Sequence, residues 1–88
     1  MIVWTLGAQE DARRIALEVH HQSPSAGRKV VEDFALAAER LSDFPQMGMR
    51  ADEEGHRTLL ILRGRYRVNY RLSGDCLFIL GLSRGGQP

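Results

Sequence analysis

Arginines are the side chains of this sequence best suited to chemistry, and they recur along one short stretch. Residues 63–72 read RGRYRVNYRL, in which four arginines alternate with apolar or aromatic residues: Arg63, Arg65, Arg67 and Arg71 against Tyr66, Val68, Tyr70 and Leu72. Alternation with a period of two predicts a β-strand with one apolar and one cationic face. Because a guanidinium pairs with carboxylates and phosphates through parallel hydrogen bonds, this strand is expected to face an anionic partner.

The distribution of charge along the chain supports this hypothesis. The net charge is +1, but residues 1–54 contain six basic and ten acidic side chains, whereas residues 55–88 contain six basic side chains and a single acid, Asp75. By charge and position, Arg65, Arg71 and Arg84 are therefore candidate partner-binding residues. A solvated sheet face is the alternative, because arginine also suits the uncovered face of an antiparallel sheet.

Few residues in the cationic half could transfer protons. Cleavage of RNA without a metal requires a base and an acid, and arginine stays protonated. Alternation assigns Tyr66 and Tyr70 to the core side of their strand, and His56, at the boundary of its strand, is predicted to be a solvated loop residue. Glu53 and Glu54, in a predicted loop, are the remaining possible bases. The residues favour binding over catalysis and leave cleavage open as an alternative.

Length and composition bound the class of protein. The 88 residues are expected to form a single domain, 1–88. The lone Cys76 cannot form an internal disulfide and fits a reducing cytoplasm. We find neither the pattern of a signal peptide nor a run of about 18 apolar residues that could span a membrane. His20 and His21 lack further ligands at suitable spacing, and no phosphate-binding loop is present, so neither metal nor cofactor is expected.

Hydrophobic periodicity predicts two helices and four strands. The first strand covers residues 2–6 and is broken by Gly7, and the first helix begins at Ala8 with Asp11 in its first turn. The second helix follows a Ser23 cap and ends before Pro45. Residues 49–55 are predicted to be a loop. The remaining predicted segments are three strands, 56–62, 65–72 and 76–82, and a mobile tail, 84–88.

The order of these elements predicts an α+β fold of the type β-α-α-β-β-β. The three C-terminal strands are expected to form an antiparallel meander, which the first strand joins to make a small, mostly antiparallel, four-stranded sheet. Two amphipathic helices joined by a short turn form an antiparallel hairpin, which packs on one face of the sheet.

Several short motifs occur in a distinctive order along nearly the whole chain: A-x-x-D (Ala8, Asp11), SP (Ser23, Pro24), LSDFPQMG (41–48), GHRTL (55–59), YRVNY (66–70), GD (74–75) and ILGLSRG (79–85). Their order and spacing resemble those of RelE/ParE superfamily toxins from bacterial type II toxin–antitoxin modules. The resemblance implies the same fold that periodicity predicts.

The resemblance also implies function. RelE-like members are ribosome-dependent mRNA endonucleases, whereas ParE-like members inhibit DNA gyrase; both are neutralised by an antitoxin, through which the complex contacts operator DNA. Arg67 matches the strand arginine of the nucleases, but their lysine positions fall near Thr58 and Leu60. Their C-terminal His or Tyr falls near Arg84 or beyond the chain end.

The sequence therefore favours the ParE-like alternative, a cytoplasmic protein that binds an antitoxin and DNA gyrase without a cofactor. The predicted partner-binding residues are all arginines. The resemblance supports Arg57 and Arg67, and charge and position support Arg65, Arg71 and Arg84. The antitoxin is expected to lie in grooves between helices and sheet. Two alternatives stay open: a metal-independent mRNA endonuclease that uses Arg67 and Arg57, and a degenerate toxin acting mainly as antitoxin partner and co-repressor.

Overall fold

The computed structural model describes residues 1–85 and confirms the α+β architecture. A mixed sheet has the strand order β1-β5-β4-β3-β2, in which β1 runs parallel to β5 and all other neighbours are antiparallel. The elements are β1 (Ile2–Trp4), α1 (Leu6–Gln22), α2 (Pro24–Asp43), β2 (Met49–Arg50), β3 (His56–Ile61), β4 (Tyr66–Ser73) and β5 (Cys76–Arg84).

The sheet has five strands rather than the predicted four, because part of the predicted loop 49–55 forms β2. Met49 pairs with Thr58 and Arg50 with Arg57, and the backbone N–H of Ala51 donates to His56 O at 2.9 Å. Both β2 residues are exposed. A two-residue strand without a buried face has no hydrophobic alternation, so periodicity could not reveal it.

The first helix begins earlier than predicted, because Thr5 caps it at Leu6 and ends β1 at Trp4. The Thr5 hydroxyl accepts from the Ala8 N–H at 3.2 Å and donates to Ile79 O of β5 at 2.8 Å. Gly7 consequently lies within α1 instead of breaking the strand from the helix. No acidic residue lies in the first helical turn, so the predicted dipole role of Asp11 is wrong.

A single residue joins the two helices. Ser23 donates its backbone N–H to Val19 O at 2.9 Å at the end of α1, and its hydroxyl accepts from the Ala26 N–H at 3.4 Å at the start of α2. Gly27 permits close helix packing, because a Cβ at this position would lie 3.1 Å from Ala16 O. The predicted helical hairpin is confirmed.

The core lies between this hairpin and one face of the sheet. The side chains of Tyr66, Val68 and Tyr70 are at most 3% exposed, which confirms that alternation assigned them correctly to the core side. Phe34 of α2 meets Tyr66 edge to face, with ring centroids 5.5 Å apart. Aromatic pairs in this geometry add attraction beyond the burial of their surface.

Asp11 links α1 to an irregularity in the sheet. Asn69 pairs with Gly81 whereas Tyr70 pairs with Ile79, so β5 carries one extra residue, a β-bulge. Beside this bulge the Leu82 N–H donates to Asp11 Oδ2 at 2.9 Å. The carboxylate thus satisfies a strand amide and fixes the helix against β5.

The last strand extends further than the periodicity indicated. Arg84 belongs to β5 and not to the predicted tail, and the Gly85 N–H donates to Arg65 O at 2.8 Å. A Cβ on Gly85 would lie 2.4 Å from Gly64 O, so this close approach requires glycine. The rest of the predicted tail, 86–88, lies outside the described residues. Among residues 1–85, no helix is both long and apolar enough to cross a membrane.

We expect Asp11→Ala to lower the free energy of unfolding by about 1–3 kcal/mol, because it leaves the partly buried Leu82 N–H without an acceptor. Urea denaturation measures this loss. Asp11 also pairs with Arg14 at 3.0 Å, so Arg14→Ala is the control, with an expected cost below about 0.5 kcal/mol. Equal losses in the two variants would show that the ion pair, and not the strand amide, is what matters.

Candidate functional site

Cross-strand pairing decides the face of the sheet on which each candidate arginine lies, because directly paired residues share a face. Arg67 pairs with Leu60 and Ser83, and Arg71 pairs with His56 and Phe78. Both arginines are exposed and alternate with the buried residues of β4. They therefore lie on the side of the sheet away from the helices, which we call the open face.

Arg57 lies on the opposite face, because it pairs with the buried Tyr70. Its Nη1 atom donates to two carbonyl oxygens of the turn after α2, Gln46 O at 3.2 Å and Gly48 O at 2.8 Å. In this position the guanidinium holds the turn against the sheet.

Arg84 also lies on the helix side, because it pairs with Tyr66. Its guanidinium carbon is 5.9 Å from the centre of the Tyr66 ring, and its Nη2 donates to Glu18 Oε1 of α1 at 3.0 Å. Arg65 is exposed just before β4 and lines the same cavity as Arg84. The structure thus places Arg67 and Arg71 on the same face, four residues apart along β4, and separates the other three candidates from them.

The open face is cationic and has a polar centre. The Thr58 hydroxyl donates to Asn69 Oδ1 at 3.0 Å, and Arg71 Nε donates to Glu54 O at 3.0 Å. Arg67 makes no side-chain hydrogen bond with any residue of 1–85. None of the five strands contains an acidic residue, so Arg67 is available to an external anion.

The turn before β3 is organised by Asp52. Its Oδ1 accepts from the backbone N–H groups of Glu54 and His56, and its Oδ2 lies 2.8 Å from His56 Nδ1. Desolvation opposes ionisation of this carboxyl, but the hydrogen bonds outweigh it and lower the pKa of Asp52. His56, predicted to be a solvated loop residue, is instead the partly exposed first residue of β3.

Asp52, Glu54 and His56 also place ligand atoms within 4.8 Å of one another. Both carboxylate oxygens of Asp52 already accept hydrogen bonds inside this turn, and the group is largely exposed. The geometry is explained by the turn itself and carries no argument for a metal.

An apolar groove runs beside the outer edge of β1. One cavity of about 840 Å³ lies between the end of α2, the following turn and the starts of β1 and β5. A second, of about 530 Å³, continues between β1 and α2 and shares Ile2 and Ser42 with the first. Phe44 and Met47 contribute exposed apolar surface beside the groove, with 65% and 41% exposure.

The chain thus carries a helical hairpin on one face of a small mixed sheet and an uncovered face with exposed arginines opposite. Over 97% of this chain and 95% of the other, it superposes with a TM-score of 0.81 and 25% identity on a solved structure described as "Chromosomal ParDE TA system from P. aeruginosa". Residues 2–87 match the family model described as "ParE toxin of type II toxin-antitoxin system, parDE". The chain therefore belongs to the ParE toxin family, and the resemblance inferred from its motifs is confirmed. A search of curated proteins gave no significant match.

Several of the motifs that carry the family resemblance contain residues that contact one another and stabilise the fold. Tyr70 donates to Pro45 O at 2.7 Å and accepts from the Gly48 N–H at 2.9 Å, and a Cβ on Gly48 would lie 2.7 Å from the Tyr70 hydroxyl. Together with Arg57, these contacts explain why LSDFPQMG, GHRTL and YRVNY occur in one chain. We call this set of contacts the clamp. Sequence reasoning missed it, although the pairing of residues 57 and 70 could have been inferred by counting outward from the Arg63-Gly64 turn.

We expect Tyr70→Phe to cost about 1–3 kcal/mol of unfolding free energy, because it removes both hydrogen bonds to the 45–48 turn. Tyr66→Phe is the matched control, since the Tyr66 hydroxyl has no hydrogen-bond partner among residues 1–85. A cost no larger for Tyr70→Phe than for Tyr66→Phe would contradict the clamp.

The clamp also predicts alkaline sensitivity. Burial raises the pKa of Tyr70, and this outweighs the opposing effects of the Gly48 N–H and Arg57. The protonated tyrosine thus contributes stability in full below the unfolded pKa of about 10, and this contribution is lost as the pH rises through the folded pKa. Unfolding free energies measured between about pH 8 and pH 12 should fall less steeply for Tyr70→Phe than for the wild type. Parallel curves would contradict this linkage.

Proposed function

We propose that this protein is a type II toxin that inhibits DNA gyrase in the cytoplasm and is neutralised by a cognate antitoxin. The observation that carries the proposal is the open face, on which Arg67 and Arg71 are exposed on strands without acidic residues. An exposed arginine pair of this kind suits an anionic protein surface, because each guanidinium can form two charge-assisted hydrogen bonds to one carboxylate.

The surroundings of Arg67 favour binding over catalysis. Tyr66 and Tyr70, which could transfer protons, lie on the opposite face and are 3% and 0% exposed. His56 is engaged by Asp52 at 2.8 Å, and Thr58 and Leu60 occupy the positions that correspond to lysines in nuclease members. The neighbours of Arg67 across the strands are Leu60 and Ser83, neither of which is a general acid or base near neutral pH.

The apolar groove beside β1 is a surface suited to an apolar segment of an antitoxin. Its lining is mainly apolar, and it lies between helices and sheet, where we expect the antitoxin to bind. A partner segment that buries this surface would gain hydrophobic stabilisation, at roughly 25 cal/mol per Å² of apolar area. Contact with operator DNA is then made through the antitoxin and not by this chain.

A ribosome-dependent mRNA endonuclease is the second candidate, and one observation favours it. The side chain of Arg67, in the YRVNY segment, makes no hydrogen bond with residues 1–85, so its guanidinium is available to bind a scissile phosphate. Cleavage of mRNA in a translating extract, lost in Arg67→Ala, would support this function, whereas intact mRNA would remove it.

A gyrase supercoiling assay tests the main proposal. We expect the purified protein to inhibit supercoiling and the double variant Arg67→Gln/Arg71→Gln to require at least about tenfold more protein, equivalent to about 1.4 kcal/mol of binding. Arg13→Gln/Arg28→Gln is the control with the same change of charge, because both residues are exposed on the helices. It should inhibit like the wild type.

Two outcomes would contradict the proposal. Absence of both supercoiling inhibition and stabilised DNA cleavage with the wild-type protein would remove gyrase as the target. Equal weakening by the two double variants would show that net charge, and not the open face, determines inhibition. Induced expression in growing cells completes the test, because a degenerate toxin that serves only as an antitoxin partner would leave growth unchanged.

A further inference from the structure

A second cationic region lies at the end of the sheet, on the helix side and away from the open face. It is a cavity of about 640 Å³ between the helices and the β3–β4 turn, which we call the end cleft. Four basic side chains line it, Lys29, Arg63, Arg65 and Arg84, together with Tyr66. Arg63 and Lys29 were not among the candidate site residues of the sequence.

We propose that the end cleft binds an acidic, amphipathic peptide segment, which within the proposed function belongs to the antitoxin. This assignment rests on the proposed function only for the identity of the partner. The chemistry of the ligand, carboxylates flanked by apolar side chains, follows from the residues that line the cleft.

Two of the four cations already hold carboxylates. Arg84 pairs with Glu18 at 3.0 Å and Lys29 pairs with Asp33 at 3.3 Å. Arg63 and Arg65 make no side-chain hydrogen bond with residues 1–85, so they carry the excess positive charge of the cleft. The Lys29–Asp33 pair, in which both residues line the cleft, shows that a carboxylate group fits against this wall.

The turn that carries these arginines is held in a costly conformation. Leu62 and Arg63 have φ angles of 51° and 59°, in the left-handed region that residues other than glycine rarely adopt, and Gly64 follows at 82°. Three backbone hydrogen bonds fix the turn. The Gly64 N–H donates to Ile61 O at 3.1 Å, the Arg65 N–H to Leu62 O at 3.2 Å, and the Gly85 N–H to Arg65 O at 2.8 Å. Arg63 and Arg65 therefore project from a preorganised support, as a binding site requires.

The remaining lining favours a peptide over a nucleic acid. Val19, Ala26, Val30 and Leu62 lie among the cations, and Leu62 is 38% exposed. A nucleic acid binds mainly through its charged phosphates, whereas an amphipathic peptide places apolar residues beside its carboxylates. Charge and apolar lining together select the peptide.

Fluorescence anisotropy with synthetic probes tests the proposal. The probe is a fluorescein-labelled peptide of about twelve residues, or three helical turns, in which leucine and glutamate recur at helical spacing. Its control is the same peptide with glutamine in place of every glutamate. Phosphate ions and a short single-stranded DNA serve as competitors that represent other anions.

We expect the acidic peptide to bind the wild-type protein, and more weakly as ionic strength rises. Its affinity should fall by about tenfold or more in Arg63→Gln/Arg65→Gln and by less than about twofold in Arg13→Gln/Arg28→Gln, the variant with the same charge change on the helices. Melting curves show whether both variants are folded. If Arg63→Gln/Arg65→Gln is not folded, the single variant Arg63→Gln replaces it, and we expect an intermediate loss of affinity for the peptide.

Three results would overturn the proposal: equal binding of the glutamate and glutamine peptides, equal losses in the two double variants, or more effective displacement by phosphate or DNA than by unlabelled acidic peptide. The gyrase assay on the wild-type protein is read separately. Peptide binding without gyrase inhibition would contradict gyrase as the target but support the end cleft as a peptide site. Gyrase inhibition without peptide binding would contradict only the proposal for the end cleft.

Discussion

The two-residue alternation of β4 is the constraint on which the rest of the structure depends. Tyr66, Val68 and Tyr70 must pack against the helical hairpin, because they supply much of the apolar surface of a small core. A shift of one residue in register would bury Arg67 and expose the tyrosines, so the packing of the core also fixes the cationic open face. Core stability and the surface available to a partner are thus determined by the same strand.

The same constraint divides the arginines by role. Arg57 and Arg84 pair across the strands with Tyr70 and Tyr66, so they lie on the helix side, where one holds a turn and the other joins β5 to α1 through Glu18. Arg67 and Arg71 remain on the open face, and Arg63 and Arg65 lie at the strained hairpin. Arginines that appear in the sequence as one cationic group therefore contribute to three separate regions: the clamp, the open face and the end cleft.

The sequence predicted the fold class and the core side of β4 because periodicity reports burial directly. It could not predict β2, whose two residues are both exposed, or the start of α1, which depends on a hydrogen bond between Thr5 and the distant Ile79. Candidate site residues were harder still, because net charge does not indicate the face on which a side chain lies. Arg57 stays a predicted binding residue, but its charge did not indicate that it lies on the face of Tyr70 and donates to the turn after α2.

Site-specific photo-crosslinking to DNA gyrase tests most directly whether the open face contacts the proposed target. A benzophenone amino acid replaces Leu60, which pairs with Arg67 on the open face and is 47% exposed, or Leu17, which is 52% exposed on α1. The account predicts a crosslink to gyrase from position 60 and none from position 17. A crosslink from position 17 alone would contradict it and would place the target on the helical hairpin.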